Sequence, residues 1–374
     1  MMMRNKLITF LASIAILSSC YVGTELSPDQ KIWDYAKPSD FGLDNERFLE
    51  INELIKENNF DFIDGLFILK ENKIIFENYY DLSTRDQIRP LGRNTYGILI
   101  SLLGSIIEEG WISSLDDPIA NYLPEYADIF TGNLAKSSIT IRHMLDNRSG
   151  LFWNESVVSS LSDRNDINRM KASIDWTRYV LERPQEAAPG LRYVFNSGHA
   201  MILSEIMQNA IPNQSLEAYF EERLFREIGI TSYNWEKDPT GTLNGANGLQ
   251  LSTFDWIKFG SVIINQGRWI DRKRVISEEW YFEMTSNAEL QPQSQYHTFG
   301  YGFWRFTDDY LDFYNFPSED ILIMAGSLGQ NIYIIPELDL IIAIHGDNCC
   351  NDFFNQSQIL FNILFNAFKS DTAL

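Results

Sequence analysis

A serine hydroxyl becomes a nucleophile when a base lies within hydrogen-bond reach. On a helix a lysine three positions on can serve, because residues i and i+3 share a face. No serine or threonine of the 374-residue chain has such a lysine, and the Gly-x-Ser-x-Gly turn of α/β-hydrolases is absent too. The histidines, His143, His199, His297 and His345, are scattered, and there is neither His-Glu-x-x-His nor Cys-x-x-Cys, so neither a metal site nor a cofactor is expected. Arg93 is the conspicuous polar group. It precedes TYGILISLLGSII, an apolar stretch that reads as a helix. A guanidinium at a helix start can clamp a carboxylate or phosphate beside free backbone amides; alternatively it pairs with a local acid and plugs the pocket.

With 45% hydrophobic and 14% aromatic residues, the chain can bury a large core. Residues 44–58 alternate apolar and charged at helical spacing behind an Asp44 cap. Strands 65–69 and 73–79 flank a polar Lys-Glu-Asn turn and predict a hairpin. Helices are expected near 94–109, 140–146, 173–182, 198–209, 215–228, 254–266 and 277–284. Strands return at 299–306, 320–325, 330–335 and 338–345, before a closing helix over 352–369. Strands at both ends with helices between predict an α+β protein: an antiparallel sheet built from N- and C-terminal strands, flanked by helices, with a mainly helical second lobe. The tryptophans, among them Trp153, Trp176, Trp235, Trp256, Trp269, Trp280 and Trp304, read as core rather than as a saccharide- or protein-binding surface.

Several stretches in order resemble the serine beta-lactamase and penicillin-binding protein superfamily, in particular its class C beta-lactamase-like esterase and 6-aminohexanoate-dimer hydrolase branch. They are Asp64-Gly65-Leu66, IIEEGWISSLDDPIANYLPEY, ITIRHMLDNRSGLFW, PGLRYVFNSGHAMILSEI, LFREIGITS, GLQLSTFDWIKFG, FGYGFW and GSLGQNIYIIPELDLIIAI, together spanning roughly residues 60–346. The resemblance implies an SxxK motif, a tyrosine that shuttles the proton, and a glycine-rich strand end that lends an amide to the oxyanion hole. Aligned without a gap from Glu108-Glu109-Gly110, the serine falls at Arg93 and the lysine at Tyr96, and neither can substitute for it. Thr95, the nearest hydroxyl, is about 200° around the helix from Arg93. Phe195-Asn196-Ser197 stands where the branch has Tyr-Asn-Ser; Tyr193 lies two residues earlier. The third element survives in part as Gly326-Ser327-Leu328-Gly329-Gln330. The expected cleft therefore holds Arg93, Tyr96, Phe195, Ser197, Gly326, Gly329 and Gln330, with no intact catalytic set.

At the N-terminus Arg4 and Lys6 precede an apolar run too short to span a bilayer, and Leu17-Ser18-Ser19-Cys20 resembles a lipoprotein signal. The expected organisation is a signal peptide over 1–19, a tether over 20–40 and one hydrolase-like domain over 41–370. The implied anchor is a lipidated Cys20, which makes the membrane a partner and places the protein in the cell envelope, at the periplasmic face and on the outer membrane if the source is Gram-negative. Removing 1–19 takes two bases and no acids, so the mature balance is 28 − 51 = −23, which excludes nucleic acid as a partner. Cys349 and Cys350 are adjacent and form no disulfide framework. Functionally, a non-catalytic pseudo-hydrolase that binds a small molecule, peptide or cell-wall ligand is expected. The alternative is an active esterase, amidase or beta-lactamase-like enzyme with an atypical nucleophile.

Overall fold

The computed structural model describes residues 32–60, 62–155, 158–159, 162–286, 297–316, 320–326, 328–346 and 355–368. Cys20, Ser327, Cys349 and Cys350 lie outside them. The chain divides into the units Met1–Asp34 and Tyr35–Leu374. Of the first only residues 32–34 are described.

The strands in chain order are β1 (Asp34–Tyr35), β2 (Ile63–Lys70), β3 (Lys73–Tyr79), β4 (Arg89–Pro90), β5 (Asn234–Trp235), β6 (Leu249–Leu251), β7 (His297–Gly300), β8 (Phe303–Phe306), β9 (Leu322–Ala325), β10 (Asn331–Ile335) and β11 (Leu340–Gly346). Eight of them form one sheet in the order β1-β3-β2-β11-β10-β9-β8-β7, and β4-β6-β5 form a small second sheet. From β3 across to β7 every described pairing is antiparallel, and the first long strand lies beside the last, with Leu66 opposite Ile344 and Ile68 opposite Ile342. The α+β class and its antiparallel sheet are as expected.

The sheet is covered on both faces, which is why β2, β10 and β11 read as nearly unbroken apolar runs. Leu66 and Ile68 of β2 pack with α1 (Asn45–Lys56) through Phe48, Ile51 and Ile55, and with α5 (Asn355–Asn366) through Phe361 and Phe365. Phe67 points the other way, onto Phe254 of α4 (Thr253–Ile264), at 5.9 Å between ring centroids. Gly260 of the same helix lies so close to Ile332 that a Cβ there would come within 2.6 Å of its Cδ1. Asp44 caps α1 as its position suggests, its carboxylate accepting from the Glu46 amide at 2.9 Å.

Two expectations need correction. The helix expected over 94–109 is two helices, α2 (Asn94–Ser101) and α3 (Leu103–Glu108), interrupted at Leu102. The Trp280 indole donates to the Ile100 carbonyl at 2.8 Å and lies against Gly104, where a Cβ would sit 2.1 Å from its ring; a tertiary partner takes a carbonyl at the break. The strand expected over 299–306 is instead the hairpin β7–β8. Tyr301 and Gly302 both have positive φ, 44° and 84°, the two-residue turn that suits antiparallel twist. Gly302 meets Gly97 of α2: a Cβ there would stand 2.7 Å from the Gly97 Cα. The sheet edge and the central helix touch through two glycines, beside the cleft.

Candidate functional site

The central helix α2 is fixed at its start by Asn94, whose amide donates to the Leu91 and Gln330 carbonyls, both at 2.8 Å. Thr95 turns away from the cleft: its hydroxyl donates to the Gly92 carbonyl and accepts from the Leu249 amide. Arg93, at the N-cap position, and Tyr96 then face a cleft completed by Phe195, Asn196 and Ser197 and by Phe299, Trp304 and Ala325 at the sheet edge. The expected residues Arg93, Tyr96, Phe195 and Ser197 come together here; Gly326, Gly329 and Gln330 do not line it. Gln330 is turned inward, donating to the Gly346 carbonyl at 3.0 Å and accepting from the Leu328 amide at 3.2 Å. The amide of Gly326 is taken by the Gln330 carbonyl at 2.7 Å.

The residue that sequence alone did not bring forward is Glu155. Its side chain is fully buried, and one oxygen receives the Arg93 Nη2 at 2.8 Å. The other accepts from the Trp153 indole at 2.5 Å, the Ser197 amide at 3.0 Å and the Ser197 hydroxyl at 2.6 Å. Burial lowers the Arg93 pKa and Glu155 opposes that shift; a guanidinium stays protonated in any case. The Arg93 cation also lies 5.3 Å from the centroid of Phe195, within cation–π range. Phe195, where a phenol is expected in the superfamily, packs edge-on to Phe299 at 5.5 Å and against Trp304 at 6.2 Å. It is part of an apolar wall with no proton to move.

Tyr96 is no better placed for chemistry. Burial above all, and then the neighbouring Tyr301, Asp146 and Tyr193, hold its phenol well above the usual range, so it stays neutral. Its hydroxyl and both carboxamide atoms of Asn196 are buried without a partner among the described residues. The void left in the cleft is about 20 Å³, room for about one water molecule. A guanidinium, its carboxylate and an aromatic wall occupy the rest.

A second polar constellation lies behind the cleft. The Ser149 hydroxyl is 2.8 Å from His199 Nε2, and His199 Nδ1 is 3.1 Å from the Asn147 side-chain oxygen. All three are buried, and burial takes the His199 pKa down to about 3. Asn147 also accepts from the Asn196 amide at 3.1 Å, so the group ties the 147–151 turn to the segment carrying Phe195. Among the described residues no cluster of His, Cys, Asp and Glu is arranged to hold a metal ion.

This arrangement of an N-terminal hairpin closing on C-terminal strands, a central helix opening into a cleft, and a helical lobe is matched in sequence. The beta-lactamase family model matches residues 66–346, about three quarters of the chain. The chain belongs to the beta-lactamase family. Among solved structures it is similar to a putative 6-aminohexanoate-dimer hydrolase from Bacillus anthracis, with TM-score 0.67 and 16% identity over 84% of this chain and 80% of that one. It is also similar to an octameric penicillin-binding protein homologue from Pyrococcus abyssi, with TM-score 0.63 and 17% identity over 87% and 78%. A class C beta-lactamase from Rhodobacter sphaeroides gives TM-score 0.59 and 15% identity over 87% and 100%. No curated protein matches in sequence. At these identities the likeness is one of fold.

Proposed function

We propose that this beta-lactamase-family protein is a catalytically silent, ligand- or partner-binding pseudo-hydrolase. The observation that carries the proposal is the Arg93–Glu155 pair at the mouth of α2, which leaves space for about one water where a substrate would sit. A hydrolase of this fold needs a nucleophile, a base and a proton shuttle acting together, and removing members of such a unit costs orders of magnitude each. Arg93, Tyr96 and Phe195 offer none of the three.

An active hydrolase with an atypical nucleophile has one arrangement in its favour, the Asn147–His199–Ser149 relay. Access weighs against it. Ser149 is 2% exposed and its oxygen also accepts the Leu151 amide at 3.1 Å, which marks a turn-stabilising role. A fluorophosphonate probe and a fluorescent penicillin, each incubated with purified protein, separate the two. No covalent adduct by intact-mass spectrometry is expected. An adduct mapped to a single residue, abolished by Ser149→Ala if that serine is responsible, would overturn the silent assignment.

The resemblance of Leu17-Ser18-Ser19-Cys20 to a lipoprotein signal supports a further part of the proposal, attachment to the cell envelope by a lipidated cysteine; stable anchoring needs more than one acyl chain, which a diacylated cysteine provides. Cys20→Ala protein should appear soluble or unprocessed on fractionation. Membrane association after correct cleavage would remove the anchor from the proposal.

A further inference from the structure

We propose that the open hollow between the C-terminal end of α1 and the β2–β3 hairpin binds a neutral saccharide. It shares no lining residue with the cleft and offers about 450 Å³, within the range of small-molecule sites. Phe62 stands at it with 58% of its surface exposed, whereas the seven tryptophans whose aromatic surface was in question are all buried. An exposed ring at a hollow is a stacking platform for the C–H face of a sugar.

The polar lining has matching chemistry. Asn58 offers an amide donor and acceptor and Asp81 two acceptor oxygens; both side chains are exposed and make no hydrogen bond among the described residues. Their backbones are pinned in the left-handed region, at φ 59° and 54°, by the turns that end α1 and β3. The floor is braced as well: Asn78 donates to the Asn52 side-chain oxygen at 2.5 Å, and the Tyr80 hydroxyl donates to the same oxygen at 3.1 Å. Lys56 is paired with Glu53 at 2.8 Å, so Asp81 is the one lining charge without an ion pair among the described residues. With a chain net charge of −21, an anionic sugar is repelled both locally and at long range. A neutral, hydroxyl-rich ligand with an apolar face meets every one of these conditions.

The test is saturation-transfer NMR titration of the whole protein with maltotriose, cellotriose and tri-N-acetylchitotriose as neutral arms and trigalacturonic acid as the anionic arm. Saturable binding of at least one neutral trisaccharide is expected, with the choice among arms telling plain hexoses from N-acetylated sugars, and no binding of the acid. Phe62→Ala and Asp81→Gly, the glycine tolerating the positive φ, should each weaken binding roughly tenfold. Unchanged melting midpoints would show that both variants fold. Silence from all neutral arms, binding that survives the double variant, or preference for the acid would each overturn the proposal.

Discussion

Replacing Arg93 with alanine tests whether the cleft is held shut by a buried ion pair. Glu155 would be left fully buried without its cation, and removing one partner of such a pair costs about 3–5 kcal/mol. The lower end applies here, about 3 kcal/mol, because the Trp153 indole and both donors of Ser197 still reach the carboxylate. The compact unit runs from Tyr35 to Leu374, and unfolding entropy of about 2.1 cal/mol/K per residue gives it roughly 0.7 kcal/mol/K. A loss of 3 kcal/mol therefore lowers the melting midpoint by only about 4 °C. Urea unfolding followed by tryptophan fluorescence is the sharper assay, since the loss appears as a shift in midpoint at constant slope. Glu155→Gln should cost a similar amount, because its amide nitrogen must face one of the donors that the carboxylate now satisfies. The double variant should cost clearly less than the sum of the singles, with a coupling of at least about 2 kcal/mol. Single losses below about 0.5 kcal/mol, the scale of an exposed pair, would refute the claim that Arg93 and Glu155 form a buried plug.

Restoring serine at position 93 and lysine at position 96 should not restore hydrolysis of nitrocefin or p-nitrophenyl acetate, because Phe195 still lacks a hydroxyl to carry the proton; turnover well above the unmodified protein would show that loss to be unimportant. Stability should decline in mild acid. Burial lowers the pKa of His199 to about 3 and of His297 and His345 to about 4, so their contributions are complete above the unfolded value near 6.5 and are lost as pH falls below it. Burial raises Asp146 to about 6 and Glu205 to about 7, and these contribute the opposite trend, stabilising below about pH 4 and losing that contribution as pH rises through 6 to 7. Three histidines against two carboxyl groups leave a net fall in urea midpoint between pH 6.5 and 4.5. A midpoint that rises over that interval would mean the histidines are not the buried neutral groups described.

Local pattern carried most of the fold because nearly every element has a local cause. The β2 and β11 runs are apolar on both sides since helices cover both faces, and α1 begins where Asp44 can cap it. Of the two misread elements, one has a distant cause and the other a masked local one. TYGILISLLGSII has helical periodicity throughout, and nothing within it announces that the indole of Trp280, some 180 residues on, takes the Ile100 carbonyl at the break. The Tyr301-Gly302 turn had a local sign, a glycine within an aromatic run, but aromatic alternation on either side masked it.

The cleft divides along the same line. That Arg93, Tyr96 and Phe195 converge followed from motif order, since residues that line a family's cleft keep their place when their chemistry changes. What Arg93 does there did not follow, because an arginine at a helix start reads equally as an anion clamp or as half of an ion pair. The deciding partner, Glu155, is 62 positions away and belongs to no motif. Its role rests on Trp153 two residues earlier and Ser197 forty-two residues later, all donating to one carboxylate. The chemistry alone holds one clue: a buried arginine requires a carboxylate, and the structure brings one to it on the Trp153-Asn154-Glu155 segment, beside Asn196-Ser197. The pair also gives the cleft a fixed shape that needs neither a serine nor a lysine at the helix start. A serine hydroxyl and a lysine amine need each other to be neutral and poised, whereas a guanidinium and a carboxylate satisfy each other outright, and among the described residues four donors hold Glu155, Arg93 on one oxygen and Trp153 with both donors of Ser197 on the other.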